Sequence, residues 1–111
     1  MKPLIIILEA IHQDGVEQLR TFAEVKIKLA LNRAEVLELS AKADVIIVKS
    51  ITKVNIELLT HLKNLRIVGR AGTGVDNINL IECKNRGVVV YTVPTGNTIS
   101  AAEFTIAQIL M

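Results

Sequence analysis

Aromatic residues are almost missing from this 111-residue sequence, which has no Trp, one Tyr and two Phe. Proteins that bind single-stranded nucleic acid stack bases on aromatic side chains, so this scarcity counts against such a role. Basic residues are also only slightly in excess: 13 Lys and Arg stand against 11 Asp and Glu, spread along the chain instead of forming a stripe. We therefore expect no nucleic-acid partner.

Cysteine and long apolar runs are equally scarce. Cys83 is the only cysteine, which excludes an internal disulfide, and no Cys/His cluster has the spacing of metal ligands. The apolar run Leu4–Leu8 ends at Glu9, too early for a signal peptide, and no run approaches the ~20 residues of a membrane span. The sequence thus predicts a cytoplasmic protein with no metal site and no membrane partner.

What the sequence does contain is aliphatic: half of its residues are hydrophobic, mostly Ile, Leu, Val and Ala. Five short apolar runs predict strands, and the β-branched character of several is typical of parallel strands covered on both faces. The runs are Leu4–Leu8, Glu24–Ile27, Val45–Val48, Arg66–Val68 and Val88–Tyr91.

Helix-start signals lie between these runs. A capping side chain stands three residues before a Glu in four places, the pattern of a capping box. These pairs are Asp14 with Glu17, Asn32 with Glu35, Asn79 with Glu82, and Ser100 with Glu103. A shorter helix is predicted from about Asn55 to Leu62, and Gly87 occupies a left-handed C-terminal cap position. Strands alternating with helices predict an α/β fold, a flavodoxin-like doubly wound sheet of five parallel strands in the order 2-1-3-4-5.

The last predicted helix starts near Ser100 and is still apolar at Met111, with no capping residue after it. We therefore predict a domain over residues 1–98, followed at 99–111 by the start of a truncated interdomain helix. The uncovered apolar face of such a helix predicts self-association into a homo-oligomer.

A glycine-rich stretch from Gly69 to Asn77 suggests a dinucleotide loop but lacks its spacing. The G-x-G-x-x-G pattern would require a third glycine where Asn77 stands, and the stretch follows the fourth strand instead of the first. We interpret it as a tight turn with positive φ whose amides face a ligand at the carboxyl edge of the sheet.

Three cations follow neighbouring strands near that edge. Lys49 and Lys53 leave the third strand and Arg70 ends the fourth, so they are predicted to converge on one anion. Asn97 is free to bind a ligand, because Ser100 is the better helix cap. No catalytic set emerges, since neither His12 nor His61 has an adjacent acid or nucleophile, and both are expected to be exposed.

Three segments together resemble a known family. Asn64–Ile78 is similar to the most distinctive stretch of the D-3-phosphoglycerate dehydrogenases, within the D-2-hydroxyacid dehydrogenase family. Pro94–Thr98 with Ser100–Glu103 resembles that family's entry into its interdomain helix, and Val48–Lys53 resembles its third-strand loop. The resemblance covers nearly the whole chain.

The resemblance implies a substrate domain for a small phosphorylated 2-hydroxy acid. It implies that amides around Ser50, Ile51, Thr73 and Gly74 hold the substrate carboxylate, and that Asn97 lies near the reacting carbon. Arg70 and the basic position at Lys49 would serve the phosphate, although the family more often has Arg at position 49, which forms a bidentate fork that Lys cannot.

In the family, NAD and the catalytic Arg and His–Glu pair belong to a cofactor domain beyond the helix that begins at Ser100. The resemblance thus implies no cofactor in this chain and no activity of the chain alone. Two alternatives stay open at this point: an isolated flavodoxin-like folding unit, and a small anion-binding module with its own function.

Overall fold

The computed structural model describes residues 2–11, 13–72 and 74–93. Strands and helices alternate along these ranges, as the sequence predicts. The strands are β1 (Leu4–Ile7), β2 (Glu24–Ile27), β3 (Val45–Val48), β4 (Ile67–Ala71) and β5 (Val89–Val93). The helices are α1 (Gln13–Leu19), α2 (Arg33–Leu39), α3 (Ile56–His61) and α4 (Leu80–Asn85).

The five strands form one parallel sheet in the order β2-β1-β3-β4-β5, which confirms the predicted order. The register places Ile7 beside Ile47 of β3, and Val48 beside Arg70 of β4. After β2 the direction of winding reverses, so that the crevice between β1 and β3 is the topological switch point of the sheet.

Two apolar clusters cover the faces of the sheet, because successive strand residues point to opposite sides. Ile5 and Ile7 of β1 pack toward Val16 and Leu19 of α1. Ile6 belongs to the cluster on the other face, which includes side chains of the remaining described helices. Right-handed crossovers explain this division, since reversing the winding direction moves the connecting helices to the opposite face.

Helix caps agree with the sequence in part. Asn32 forms a complete capping box with Glu35, and Asn79 caps α4 by accepting from the Glu82 N–H. The predicted cap at Asp14 is wrong, because α1 already begins at Gln13 and Asp14 lies inside its first turn. Gly87 has φ +71°, the left-handed conformation expected of it.

Strand boundaries differ most at β4. The sequence predicts a strand over Arg66–Val68, whereas β4 continues through Ala71 because Gly69 and Arg70 pair with β3 and β5 on both sides. The predictions for His12, Thr73, Asn97 and the helix from Ser100 fall on residues outside the described ranges.

The described residues contain no helix long and apolar enough to cross a membrane. Within residues 2–11, 13–72 and 74–93 there is also no group of three or more His, Cys, Asp or Glu residues arranged to hold a metal ion.

Candidate functional site

The loops that follow β1, β3 and β4 meet at the carboxyl edge of the sheet. Ligands of open α/β sheets bind outside this edge, at the switch point in particular. Parallel pairing brings the start of the β3–α3 loop, at Lys49, next to Arg70 near the end of β4. The sequence-predicted residues Lys49, Ser50, Ile51 and Arg70 therefore share one edge.

The Glu9 carboxylate links the end of β1 to the β3–α3 loop. Oε2 accepts hydrogen bonds from the N–H groups of Lys49 at 2.7 Å and Thr52 at 3.1 Å, and Oε1 accepts from the Ile51 N–H at 3.1 Å. Glu9 is 9% exposed, so its charge is satisfied mainly by these backbone amides. The sequence shows Glu9 only as the acidic residue that ends the first apolar run.

Opposing effects set the acidity of this carboxyl. Burial alone would raise the pKa of Glu9, but hydrogen bonds from the backbone N–H groups of Lys49, Thr52 and Ile51 hold it below its ordinary value. Glu9 is thus ionised at neutral pH, and its negative charge lies directly beneath the loop.

The Asn77 side chain binds the backbone carbonyl groups of the same loop. Its Nδ2 donates to the carbonyl oxygens of Lys49 and Thr52, both at 2.7 Å. Its Oδ1 accepts from Nε of Arg70 at 2.9 Å, and the Asn77 residue is 6% exposed. The residue that breaks the dinucleotide pattern is therefore the one that joins the β3–α3 and β4–α4 loops.

Arg70 is more enclosed than a surface anion site would require. The residue is 7% exposed, and its guanidinium lies against Gly72 as well as Asn77. A Cβ at Gly72 would lie 2.9 Å from Nη1 of Arg70, and φ there is +136°. Gly72 is needed both for its backbone conformation and for the space that Arg70 occupies.

Backbone bonds reinforce the link between the two loops. Val54 and Ile78 form a parallel bridge, in which the Val54 N–H donates to the Asn77 carbonyl at 2.8 Å and the Asn79 N–H donates to the Val54 carbonyl at 2.9 Å. Gly74, which lies between Arg70 and Ile78 in the sequence, has φ +84° and is exposed. The bridge joins the two loops at their helix ends, while the pairing of β3 with β4 joins them at their strand ends.

Lys53 lies toward α2 and not beside Arg70. Its carbonyl oxygen accepts from Nη1 of Arg33 at 2.9 Å, while Arg33 also binds Oδ1 of Asn55 at 2.6 Å and Oε1 of Glu57 at 2.9 Å. The side chain of Lys53 is exposed, and Lys49 is half-buried. The structure brings Lys49 and Arg70 to adjacent strand ends and gives Lys53 a separate position beside Arg33.

A cleft of about 390 Å³ opens beside Glu9 at this edge. Its walls come from the loops after β1, β2 and β3 and from α2, and they are mainly apolar. The lining residues are Leu8, Glu9, Ala10, Leu29, Ala30, Leu31, Val36, Lys49, Ile51 and Thr52. Lys49 and Ile51 thus lie between this cleft and the amide-rich edge.

Sequence reasoning missed the hydrogen-bonding roles of Glu9, Arg33 and Asn77. A carboxylate directly after a buried strand was the available signal for Glu9, since a charge in that position needs donors. Nothing in the sequence indicates that Arg33 binds the loop after β3, because its partners lie 20 or more positions away. His61 is exposed on α3, as expected.

The glycine-rich stretch also differs in geometry from a dinucleotide loop. Such a loop passes directly from the first strand into a helix whose N-terminus faces the pyrophosphate. Here the stretch leaves β4, and α4 begins only at Leu80, after the bridge at Ile78. The described part of this stretch therefore does not have the geometry of a dinucleotide loop.

Comparison with known proteins places the chain in a family. The model of the D-isomer specific 2-hydroxyacid dehydrogenase catalytic domain matches residues 5–108. The chain belongs to this family. It is 41% identical to the D-3-phosphoglycerate dehydrogenase of Archaeoglobus fulgidus over 96% of its length, and 39% identical to that of Bacillus subtilis over 95%. It spans about a fifth of the length of these two dehydrogenases (20% in each case).

Two solved structures share the fold. The PH0520 protein from Pyrococcus horikoshii is 31% identical, with a TM-score of 0.80 over 96% of this chain and 32% of that one. An NAD+-bound 3-phosphoglycerate dehydrogenase from Entamoeba histolytica is 26% identical, with a TM-score of 0.75 over 98% of this chain and 38% of that one. These similarities confirm the flavodoxin-like sheet as a dehydrogenase domain.

Proposed function

We propose that the chain is the substrate-binding part of an NAD-dependent D-3-phosphoglycerate dehydrogenase. Such an enzyme oxidises 3-phosphoglycerate to 3-phosphohydroxypyruvate, the first step toward serine, in the cytoplasm. The observation that carries the proposal is the 35–41% identity to three phosphoglycerate dehydrogenases, each over 96% of the chain. Together with the absence of a dinucleotide loop among the described residues, it supports a substrate role for this domain.

The proposal assigns three groups of contacts at the carboxyl edge. Amides around Ser50, Ile51, Thr73 and Gly74 would hold the substrate carboxylate. Lys49 and Arg70 would supply positive charge to the phosphate, with Lys53 contributing from its separate position beside Arg33. Asn97 would lie near the reacting carbon. The pairing of Val48 with Arg70 supports the carboxylate and phosphate contacts, because it places the β3–α3 loop beside the end of β4. Thr73 and Asn97 lie outside the described residues.

In this proposal the chain binds and orients its substrate and does no chemistry by itself. In the whole enzyme, bound NAD would accept the hydride, and the base that takes the hydroxyl proton would come from another domain. Incubation of the chain with D-3-phosphoglycerate and NAD should therefore give no increase in NADH absorbance. Measurable turnover would contradict the proposed inactivity.

Calorimetric titration tests the substrate class. We expect weak binding of D-3-phosphoglycerate, weaker binding of D-glycerate, which lacks the phosphate, and a loss of affinity between about 50 and about 200 mM salt. Equal affinities for the two ligands, or no binding of either in the millimolar range, would contradict the proposal. Inorganic phosphate serves as a competitor that measures the phosphate contact alone.

Lys49 offers a cleaner variant for the phosphate contact than Arg70. Lys49 binds Glu9 and Asn77 through its backbone, whereas replacing Arg70 would break the side-chain hydrogen bond to Asn77 and disturb the loop. Lys49→Ala should weaken binding of D-3-phosphoglycerate and leave D-glycerate unchanged. Lys42→Ala removes an equal charge at the amino edge of the sheet and should change neither affinity.

The proposal includes a homo-oligomer formed through residues 99–111, which lie outside the described ranges. The apolar residues of that segment would be covered by a second copy of the chain. Light scattering should give a mass that rises above one chain with concentration. A mass of one chain at high concentration would contradict this part of the proposal.

A further inference from the structure

We infer that Glu9 is a positioning residue of the substrate site. It accepts hydrogen bonds from the N–H groups of Lys49, Ile51 and Thr52, and this leaves the Ser50 N–H as the loop amide that binds the substrate carboxylate. This inference deepens the proposed function and rests on it. The sequence prediction treated the amides of Ser50 and Ile51 alike, and the structure separates them.

Three of the four backbone amides from Lys49 to Thr52 already donate to the same carboxylate. Of the N–H groups from Lys49 to Thr52, those of Lys49, Ile51 and Thr52 donate to Glu9. Ser50 is exposed, and within the described part of the chain its N–H has no hydrogen-bond partner. Because Ser50 is exposed and its N–H donates to no described residue, it is the donor next to Lys49 that an incoming anion would meet first.

The carbonyl groups of the loop are held from the other side. Asn77 binds the carbonyl oxygens of Lys49 and Thr52, so both ends of the stretch are fixed at their donors and at their acceptors. This arrangement prevents the peptide planes at the two ends from rotating independently. The orientation of Ser50 between them is thus set before a ligand arrives, which reduces the entropy lost on binding.

Using a carboxylate for this purpose has an electrostatic cost. Glu9 is anionic and lies beneath a loop proposed to bind an anion, so its charge opposes ligand binding through space. Removing the charge and removing the positioning therefore have opposite effects on affinity. This opposition makes a substitution at Glu9 informative, because the sign of the change identifies the dominant effect.

Nuclear magnetic resonance of the unsubstituted 111-residue chain gives the first test. Addition of D-3-phosphoglycerate should shift the amide resonance of Ser50 more than those of Ile51 and Thr52. Hydrogen exchange at Ile51 and Thr52 should be slow without ligand, because both amides donate to Glu9. A larger ligand-induced shift at Ile51 or Thr52 than at Ser50 would overturn the inference without any substitution.

Two substitutions at Glu9 give the second test. Glu9→Gln replaces one acceptor oxygen by an NH2 group that faces N–H donors, so exchange at Ile51 and Thr52 should accelerate at least about tenfold. Affinity for D-3-phosphoglycerate should fall roughly tenfold, the effect of losing one well-placed charge-assisted hydrogen bond. Glu9→Asp keeps the charge on a shorter side chain and should restore part of the affinity.

Glu38→Gln is the matched control, since Glu38 is an exposed residue of α2 and should change neither readout. Unchanged or tighter binding in Glu9→Gln would overturn the positioning role and show that repulsion dominates. Absence of binding by the unsubstituted chain would instead contradict the proposed function. Even without ligand binding, unchanged hydrogen exchange at Ile51 and Thr52 in Glu9→Gln would refute the positioning role of Glu9.

Discussion

The Nε atom of Arg70 donates to Oδ1 of Asn77 at 2.9 Å, while Nδ2 of the same asparagine donates to the carbonyl oxygens of Lys49 and Thr52. One buried amide thus joins the end of β4 to the loop after β3. The Arg70 guanidinium orients the asparagine, because only its oxygen can accept from Nε. The position therefore requires the acceptor and the donors of an asparagine amide, and not only a side chain of the same size.

Asn77→Asp should therefore destabilise the fold although it is nearly isosteric. The change removes both N–H donors and places a carboxylate against the carbonyl oxygens of Lys49 and Thr52. We expect the free energy of unfolding to fall by about 2–3 kcal/mol, measured by urea denaturation. Asn64→Asp at an exposed position should cost under about 0.5 kcal/mol. Equal costs at the two sites would contradict the role of Asn77.

Glu9 should make stability depend on acid pH. Its folded pKa lies below the ordinary value of 4.5, so the unfolded chain binds more protons in this range. The stabilisation is complete above the unfolded pKa and is lost as the pH falls through the folded pKa.

Urea denaturation from about pH 5 to about pH 2 checks this dependence. The free energy of unfolding of Glu9→Gln should start lower and decline less steeply than that of the unsubstituted chain. Glu38→Gln, at an exposed position, should retain the parental slope. Parallel curves for Glu9→Gln and the unsubstituted chain would show that Glu9 does not contribute.

The capping box at Asn32 should have a measurable stability effect. Its side chain accepts from the Glu35 N–H at 2.9 Å, and the Glu35 carboxylate accepts from the Asn32 N–H at 3.1 Å. Asn32→Ala should lower the free energy of unfolding by about 1 kcal/mol. Asn85→Ala, at the last residue of α4, makes the same change outside a cap and should cost less. A larger loss at Asn85 would contradict the cap assignment.

Cys83 should resist alkylation in the folded chain. The residue is 1% exposed, and its pKa is raised by burial and, to a smaller extent, by the charge of Glu82, although Arg86 opposes this. Since the thiolate is the reactive form, iodoacetamide should modify Cys83 mainly through unfolded molecules. The reaction rate should follow the unfolded fraction across a urea titration. Rapid modification in the absence of urea would contradict the buried position.

The sheet was predictable from the sequence because its signals are local. Continuous β-branched runs such as Val45–Val48 predict buried strands, and Asn32 or Gly87 mark helix ends within a few residues. Strand order followed from the same alternation, since right-handed crossovers leave few arrangements for five parallel strands. The misplaced cap at Asp14 shows the limit of a local signal, which does not say which nearby residue starts the helix.

The arrangement of the site was decided only by the tertiary structure. The sequence placed Lys49, Lys53 and Arg70 at one edge, and the fold assigned them different surroundings, with Arg70 buried against Asn77 and Lys53 beside Arg33. The bonds from Glu9 to the β3–α3 loop join residues 40 or more positions apart. The sequence determined which residues reach the carboxyl edge, but hydrogen-bond partners at that distance depend on the packing of neighbouring strands, which no local pattern encodes.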